Sequence, residues 1–191
     1  PPPPPPPPPP LFFQKNTTQY EIPLRLVGSE MCIRDRYLTQ PMSLNIDIQR
    51  ACALKSIPSD EKFQHWSEAA IKGRTTATEL NIRIVEEHEI TTLNSQYRGK
   101  KKSTNILSFP FDAVTPEPMP ILGDIVICAP LVFREAQEQS KSIESHWAHL
   151  VVHGILHLLG YDHDRDNDAK IMETLESEIL TKMNYPEPYE N

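Results

Sequence analysis

The stretch HGILHLLGYDH, residues 153–163, holds three histidines at a spacing that builds a metal site. His153 and His157 are four residues apart, so on a helix they share one face and can bind one ion together. Gly160 can end that helix in the left-handed conformation and reverse the chain, which brings His163 to the same ion. Three nitrogen ligands leave a position open for water, as in catalytic rather than structural zinc sites. We therefore predict that these three histidines bind one Zn²⁺ per chain.

Gly154 distinguishes this stretch from the zinc metallopeptidases that share the spacing His-x-x-x-His-x-x-Gly-x-x-His. Those enzymes carry a glutamate directly after the first histidine, and that glutamate is their general base. Here the metal ligands are present and the peptidase base is missing. This argues against peptide hydrolysis by that mechanism.

Two further histidines, His146 and His149, fall on the same helical arc of about 80° as His153 and His157, at about 100° per residue. His149 and His157 would lie about 12 Å apart along the helix axis, so they cannot share one ion. The ligand pair is either His149 with His153 or His153 with His157, and only the second pair has a turn and a third histidine beyond it. His149 is then expected to support a ligand or to face the substrate. The other histidines are expected at the surface or in packing: His65, His88 and His146.

The N-terminal segment differs in character from the rest of the chain. Its first ten residues are all proline, half of the 20 prolines present, and such a run forms an extended polyproline helix with nothing to bury. Residues 11–41 show no sustained period, and residues 26–36 resemble translated sequencing-adapter sequence. We predict that residues 1–41 are a non-native or disordered proline-rich extension and that the native chain starts at Met42. The alternative is a proline-rich linker or docking tail.

Composition excludes some classes of protein. The net charge of −7 opposes a generic nucleic-acid binder. The sequence has no apolar stretch of the length that a membrane span needs, and no basic segment precedes an apolar signal core. The cysteines, Cys32, Cys52 and Cys128, are odd in number and far apart, which is typical of reduced thiols. We expect a cytoplasmic protein with no membrane partner.

A basic cluster follows Tyr97 and consists of Arg98, Lys100, Lys101 and Lys102. Far from it in sequence, the segment 162–168 carries an acidic run. An isolated charge run is usually a solvated loop, but this cluster could instead form a phosphate-binding edge near the metal. The sequence leaves both readings open. Within the acidic run, Asp162 flanks His163 and is expected to cap the turn or to orient a ligand imidazole.

The periodicity of apolar residues predicts a single α+β domain over residues 42–191, with a small mixed sheet packed by helices. The predicted strands are 44–50, 79–86, 105–111 and 123–128. The predicted helices are 59–71, 88–97, 130–139, 144–159 and 166–183. The metal site is expected on the fourth of these helices and the turn that follows it, with that apolar helix buried against the sheet. The last helix is expected to face the core with a stripe of Ile171, Leu175, Ile179 and Met183.

Four segments in order resemble the YbeY endoribonucleases, a family of bacterial ribosomal RNA maturation factors. The histidine stretch resembles the family signature, and three further segments agree: LNSQYRGK (93–100), STNILSFPF (103–111) and LGDIVIC (122–128). The resemblance runs from Met42 to the C-terminus. It implies a single-strand-specific, metal-dependent endoribonuclease that acts in 3′-end maturation of small-subunit (16S) ribosomal RNA and in ribosome quality control. It also implies zinc ligands at His153, His157 and His163, and a key arginine at Arg98.

The implied partners are single-stranded RNA, ribosomal RNA and the small ribosomal subunit. The planar guanidinium of Arg98 fits two phosphate oxygens, and we expect it to stabilise charge on the reacting phosphate. Lys100, Lys101 and Lys102 are expected to contact backbone phosphates without sequence preference.

Two alternative functions stay open. One is a metal-dependent hydrolase of another substrate, such as a peptide, and the other is a non-catalytic ribosome-assembly factor whose zinc is structural.

Overall fold

The computed structural model describes residues 44–111, 119–163 and 165–189, so the expectations for residues 1–41 and for a start at Met42 lie outside it. The described residues form a small sheet and several helices, which confirms the predicted α+β class. The elements are, in order, β1 (Asn45–Ala51), α1 (Asp60–Ile71), β2 (Glu79–Val85), α2 (Glu87–Arg98), β3 (Ile106–Pro110), β4 (Ile121–Cys128), α3 (Ala129–Glu138), α4 (Ile143–Leu158) and α5 (Asp166–Lys182).

The sheet has four strands in the order β1-β2-β4-β3. β1 and β4 each run parallel to β2, whereas β3 runs antiparallel to β4, so the sheet is mixed as predicted. Parallel neighbours need a crossover, and α1 lies in the connection between β1 and β2. Successive side chains of β4 point to opposite faces, with Ile125 and Ile127 in one core and Val126 and Cys128 in the other.

Helices therefore cover both faces of the sheet. The larger core packs one face against α1, α4 and α5, and it includes Phe63, Trp66 and Trp147 in edge-to-face contacts at 5.5 and 5.7 Å. The smaller core lies on the other face, where α2 contributes Ile90 and Leu93. Because the sheet is buried on both sides, the positions of α2 and α4 relative to the strands are set by packing.

Gly154 lets α4 approach the sheet closely. A Cβ atom added at this position would lie 2.7 Å from Ile106 Cδ1 and 3.2 Å from Ile125 Cδ1. The Ser108 hydroxyl of β3 donates a hydrogen bond of 3.2 Å to the Gly154 carbonyl. The predicted burial of the histidine helix against the sheet is confirmed, and a larger side chain after His153 would have to displace the side chains of Ile106, Ser108 and Ile125.

The end of α4 follows the predicted geometry. Gly160 has a φ of +89°, in the left-handed region that glycine adopts without strain. The Tyr161 N–H then donates to the Leu156 carbonyl at 3.0 Å, which closes the helix and reverses the chain. The reversal directs the segment that carries His163 back along the helix.

The predicted apolar stripe of α5 is wrong at its first residue. Ile171 is 52% exposed, whereas the neighbouring Met172 is 1% exposed. The buried face runs through Met172, Glu176, Ile179 and Leu180. The prediction admitted only apolar residues to the core, so it placed the stripe about one residue away from a face that contains a carboxylate.

Two smaller expectations concern the cysteines and membranes. Cys52 and Cys128 are free thiols, in agreement with the prediction, and Cys32 lies outside the described residues. Across residues 44–111, 119–163 and 165–189, no helix combines the length and the apolar character that a bilayer crossing requires.

Candidate metal centre

Three histidine rings converge where α4 ends. His153, His157 and His163 each bring a ring nitrogen to within 4.8 Å of the other two. The Nε2 atoms of His153 and His157 are 3.1 Å apart, and the His163 ring centroid lies 5.7 and 5.0 Å from theirs. Two nitrogen ligands of a tetrahedral zinc, each about 2.05 Å from the ion, are roughly 3.3 Å apart. The spacing of the two α4 histidines therefore fits ligands of one ion.

Hydrogen bonds outside this triangle determine which ring nitrogens face inward. His157 Nδ1 lies 3.0 Å from the Tyr161 carbonyl oxygen, and a carbonyl only accepts, so this nitrogen carries the proton. His153 Nδ1 lies 2.7 Å from a carboxylate oxygen of Glu176, with the same consequence. Each ring thus directs an unprotonated Nε2 toward the shared point, the arrangement found in zinc sites. Burial and the neighbouring His153 and His163 lower the pKa of His157, which favours the neutral form that binds a metal.

Glu176 of α5 was not among the predicted site residues. It is fully buried, and its two oxygens accept from His153 Nδ1 at 2.7 Å and from His149 Nε2 at 2.9 Å. The Tyr189 hydroxyl also donates to it. Burial opposes ionisation of this carboxyl, but the hydrogen bonds from His149, His153 and Tyr189 outweigh it and lower the pKa to about 2. The sequence signal was a glutamate at a core position of the α5 apolar face.

The remaining histidines do not join the triangle. His149 was expected either to support a ligand or to face the substrate, and its contact with Glu176, which also contacts His153, fits the first of these roles. His146 is 4% exposed, and its Nε2 lies 2.9 Å from Glu135, so it is a packing histidine. His65 and His88 are exposed. The positions of His65, His88 and His146 agree with the expected surface or packing roles.

A basic cavity of about 650 Å³ opens beside the three histidines. Arg98, the last residue of α2, lines it together with Lys100, and His153, His157 and His163 line the same cavity. Gly99, with a φ of +67°, ends α2, and the Lys100 N–H donates to the Asn94 carbonyl at 3.2 Å. This turn places two cations in the lining of the cavity that the three histidines also line.

The other two members of the basic cluster lie elsewhere. Lys101 lines a separate shallow depression beside α2, together with His88 and Gln96. Lys102 is exposed, and its carbonyl accepts a 2.7 Å hydrogen bond from the Asn94 side chain. The structure thus brings Arg98 and Lys100 to the histidines and leaves Lys101 and Lys102 outside that cavity.

Asp162 borders the basic cavity and contacts the backbone of the turn. Its Oδ1 accepts a 2.7 Å hydrogen bond from the His163 N–H. This contact favours the capping role over orientation of a ligand imidazole, because it reaches the main chain and not a ring nitrogen.

An acidic cavity of about 580 Å³ adjoins the basic one and shares His153 and His163 with it. Its walls come from α3, α4 and α5 and carry several carboxylates. These are Glu135, Glu138, Glu173 and Glu176. His153 therefore separates two regions of opposite charge.

Comparison with known proteins shows which family the sequence matches and identifies a similar solved structure. The family model described as Endoribonuclease YbeY matches residues 47–184. The solution structure of TM1509 from Thermotoga maritima is 26% identical, with a TM-score of 0.48, over 75% of this chain and 99% of that protein.

Proposed function

This chain belongs to the YbeY endoribonuclease family, and from that premise we propose that it is a zinc-dependent endoribonuclease specific for single strands. We propose the 3′ end of small-subunit (16S) ribosomal RNA as its substrate, together with a role in ribosome quality control. The family acts in ribosomal RNA processing and depends on a metal. The observation that carries the proposal is that three histidine nitrogens and Arg98 border one cavity.

The chemistry of phosphodiester cleavage suits these residues. Extra negative charge develops on the phosphoryl oxygens, and a zinc ion held by the three histidines would polarise the phosphate when bound. Arg98 keeps its charge at any working pH and can donate two parallel hydrogen bonds to phosphate oxygens. From the wall of the same cavity, Arg98 would hold the phosphate against the histidines and stabilise that charge.

The lysines are proposed to bind the RNA backbone. Lys100 shares the basic cavity with Arg98 and would contact the phosphate next to the reacting one. Lys101 and Lys102 are exposed outside it and would contact phosphates further along the strand. Such contacts raise affinity in a salt-dependent way and carry no base preference.

Two observations weigh against the alternatives. Gly154 packs against β3, so the position of the peptidase glutamate is inside the fold and not in the cavity. The residues that would hold zinc are three histidines that line the basic cavity, whereas a structural zinc usually has four protein ligands. Both observations support RNA cleavage over peptide hydrolysis or a structural role.

The test is a cleavage assay with the full chain and added zinc. We expect cutting of a single-stranded RNA, little cutting of the duplex of the same sequence, no cutting of casein peptides, and complete loss of activity in a zinc chelator. His157→Ala is the matched control for contaminating nuclease, because it should be inactive in the same preparation. Proteolysis that the chelator abolishes, without RNA cleavage, would overturn the proposal. Bound zinc without either activity would favour an assembly factor.

A further inference from the structure

The Glu176 carboxylate is buried on the face of α5 that packs into the larger core. It is 0% exposed, whereas the neighbouring Glu173 and Glu178 of α5 are exposed. A buried carboxylate without partners is strongly unfavourable, so a core position of this kind needs donors that satisfy both oxygens. Glu176 has three donors, and one of them is a predicted metal ligand.

The direction of these hydrogen bonds specifies where the protons are. An ionised carboxylate only accepts, so His153 must carry its proton on Nδ1, 2.7 Å from Glu176 Oε1. The other nitrogen of the same ring, Nε2, is then a lone pair that points at His157 Nε2, 3.1 Å away. Glu176 thus selects the one tautomer of His153 that can bind a metal in the basic cavity.

A second ion among His149, His153 and Glu176 is the competing reading, because their ligand atoms also lie within 4.8 Å of one another. A zinc bound between an imidazole nitrogen and a carboxylate oxygen would separate those atoms by roughly 3.3 Å. The observed separations are 2.7 and 2.9 Å, the distances of direct charge-assisted hydrogen bonds. The geometry favours proton-mediated contacts over a second ion.

The C-terminal tail reaches the same carboxylate. The Tyr189 hydroxyl donates to Glu176, and its ring packs edge-to-face on His149 at 5.6 Å. The preceding residue is anchored as well, because Lys141 Nζ donates to the Pro188 carbonyl at 2.7 Å. A segment that supplies no metal ligand therefore contacts the group that orients one.

We propose that Glu176 is the positioning residue of the metal centre and that Tyr189, from the C-terminal tail, holds Glu176 in place. The inference rests on the zinc-binding part of the proposed function. Zinc affinity then depends on a hydrogen-bonded chain that runs from Tyr189 through Glu176 to His153. The three hydrogen-bonded side chains come from the C-terminal tail, α5 and α4.

Replacing Glu176 by glutamine separates this role from simple packing. The amide has nearly the same shape, but it offers an N–H₂ donor as well as an oxygen. His153 is then free to accept at Nδ1 and to place its proton on Nε2, where the proton blocks the ligand position. We expect Glu176→Gln to weaken zinc binding by about 10- to 100-fold, measured by competition with a chromogenic chelator.

The tautomer of His153 is a measurement that would not change if Glu176 had only a packing role. In the metal-free full chain, ¹⁵N NMR of the histidine rings should show His153 protonated at Nδ1, and Glu176→Gln should shift protonation toward Nε2. Glu144→Gln is the matched control, since Glu144 accepts hydrogen bonds from Lys62 and Tyr185 and not from a histidine. That control should change neither the tautomer nor the zinc affinity.

The tail is tested by removing one hydroxyl group. Tyr189→Phe deletes the donor to Glu176 and should weaken zinc binding by about two- to tenfold. Tyr185→Phe removes a hydroxyl that instead donates to Glu144 at 2.8 Å, so it should leave zinc affinity unchanged. Because Tyr189 is 45% exposed, its variant is expected to fold even if Glu176→Gln does not.

Each outcome decides one part of the proposal. A folded Glu176→Gln protein with wild-type zinc affinity and a wild-type His153 tautomer overturns the positioning role. If that variant does not fold, the test rests on Tyr189→Phe. Unchanged zinc affinity and an unchanged His153 tautomer in Tyr189→Phe would contradict the proposed link from Tyr189 through Glu176 to His153. A wild-type protein that binds no zinc contradicts the proposed function instead, while the tautomer measurement on metal-free protein still tests Glu176.

Discussion

The basic and acidic cavities on either side of His153 contain the same residue type in different roles. On the basic side, His157 Nε2 lies 3.1 Å from His153 Nε2, a ring nitrogen of His163 lies within 4.8 Å of ring nitrogens of both, and Arg98 lines the cavity. On the acidic side, the Nε2 atoms of His146 and His149 form hydrogen bonds with Glu135 and Glu176, respectively. His153 belongs to both regions, with Nε2 facing one and Nδ1 the other.

The difference between the two cavities comes from the elements that meet α4. Near its C-terminal end, the turn after Gly160 returns a third histidine. Along its N-terminal half, α3 and α5 present carboxylates that accept hydrogen bonds from the ring N–H groups, so His146 packs against Glu135 and His149 contacts Glu176. The histidines in a row on one helix face therefore do not form one site.

The largest effect should come from the basic side. His157→Ala removes one of three ligands and should weaken zinc binding on the order of 10³-fold or more. His146→Ala, on the same helix but facing Glu135, should leave zinc affinity unchanged. Chelator competition and elemental analysis measure both. Undiminished zinc in a triple alanine variant of His153, His157 and His163 would place the site elsewhere.

Arg98 tests whether the basic side carries out chemistry as well as binding. Arg98→Ala should lower turnover on the order of 10²–10³-fold, because a donor to the developing phosphate charge is lost. Lys101→Ala removes a neighbouring cation outside the cavity and should cut at nearly the wild-type rate. Single-turnover cleavage at saturating enzyme compares the two variants. A wild-type rate for bound Arg98→Ala would make Arg98 a docking residue only.

On the acidic side, Glu135→Gln should cost stability and spare the metal. Glu135 accepts hydrogen bonds from Asn105 at 3.0 Å and from buried His146 at 2.9 Å, so the free energy of unfolding should fall by about 1–3 kcal/mol at pH 7. Urea unfolding measures this loss, and zinc affinity is the control that should not change. A loss of zinc binding equal to that of His157→Ala would contradict the claim that the Glu135 and His146 pair is independent of the metal centre.

The effect of Glu135→Gln on the free energy of unfolding should depend on pH. Burial tends to raise the pKa of Glu135, but the hydrogen bonds from His146 and Asn105 outweigh it and lower the pKa. A carboxyl with a lowered folded-state pKa stabilises the protein above its unfolded value of about 4.3, and that contribution is lost as the pH falls. The stability difference between wild type and Glu135→Gln should therefore shrink when unfolding is repeated near pH 3.5.

The smallest effect should separate two adjacent lysines. Lys100→Ala should weaken RNA binding a few-fold at moderate salt and reduce the salt slope by about one, because Lys100 lines the basic cavity. Lys101→Ala should change binding less, and neither variant should alter saturating turnover. Equal effects from the two lysines would show that position relative to the cavity is irrelevant and that only net charge matters.

Local periodicity predicted much of this molecule. The predicted strands and helices correspond to the observed ones within a few residues, and Gly160 ends α4 as its spacing indicated. The misplacement of the α5 stripe has a specific reason, since a fully buried Glu176 violates the rule that core positions are apolar. Its partners were invisible in the sequence, because His149 and His153 lie 27 and 23 residues away and on another helix.

The histidine triangle could be predicted from the sequence because both of its parts are local. Residues four apart share a helix face, and a glycine at positive φ reverses the chain within a few residues. The fold was needed to show that Arg98 and Lys100 border the cavity of that triangle while Lys101 lies elsewhere, and that Glu176 contacts His153. Those neighbours depend on the strand order β1-β2-β4-β3 and on how α2 and α5 pack, which are long-range contacts that no local period encodes.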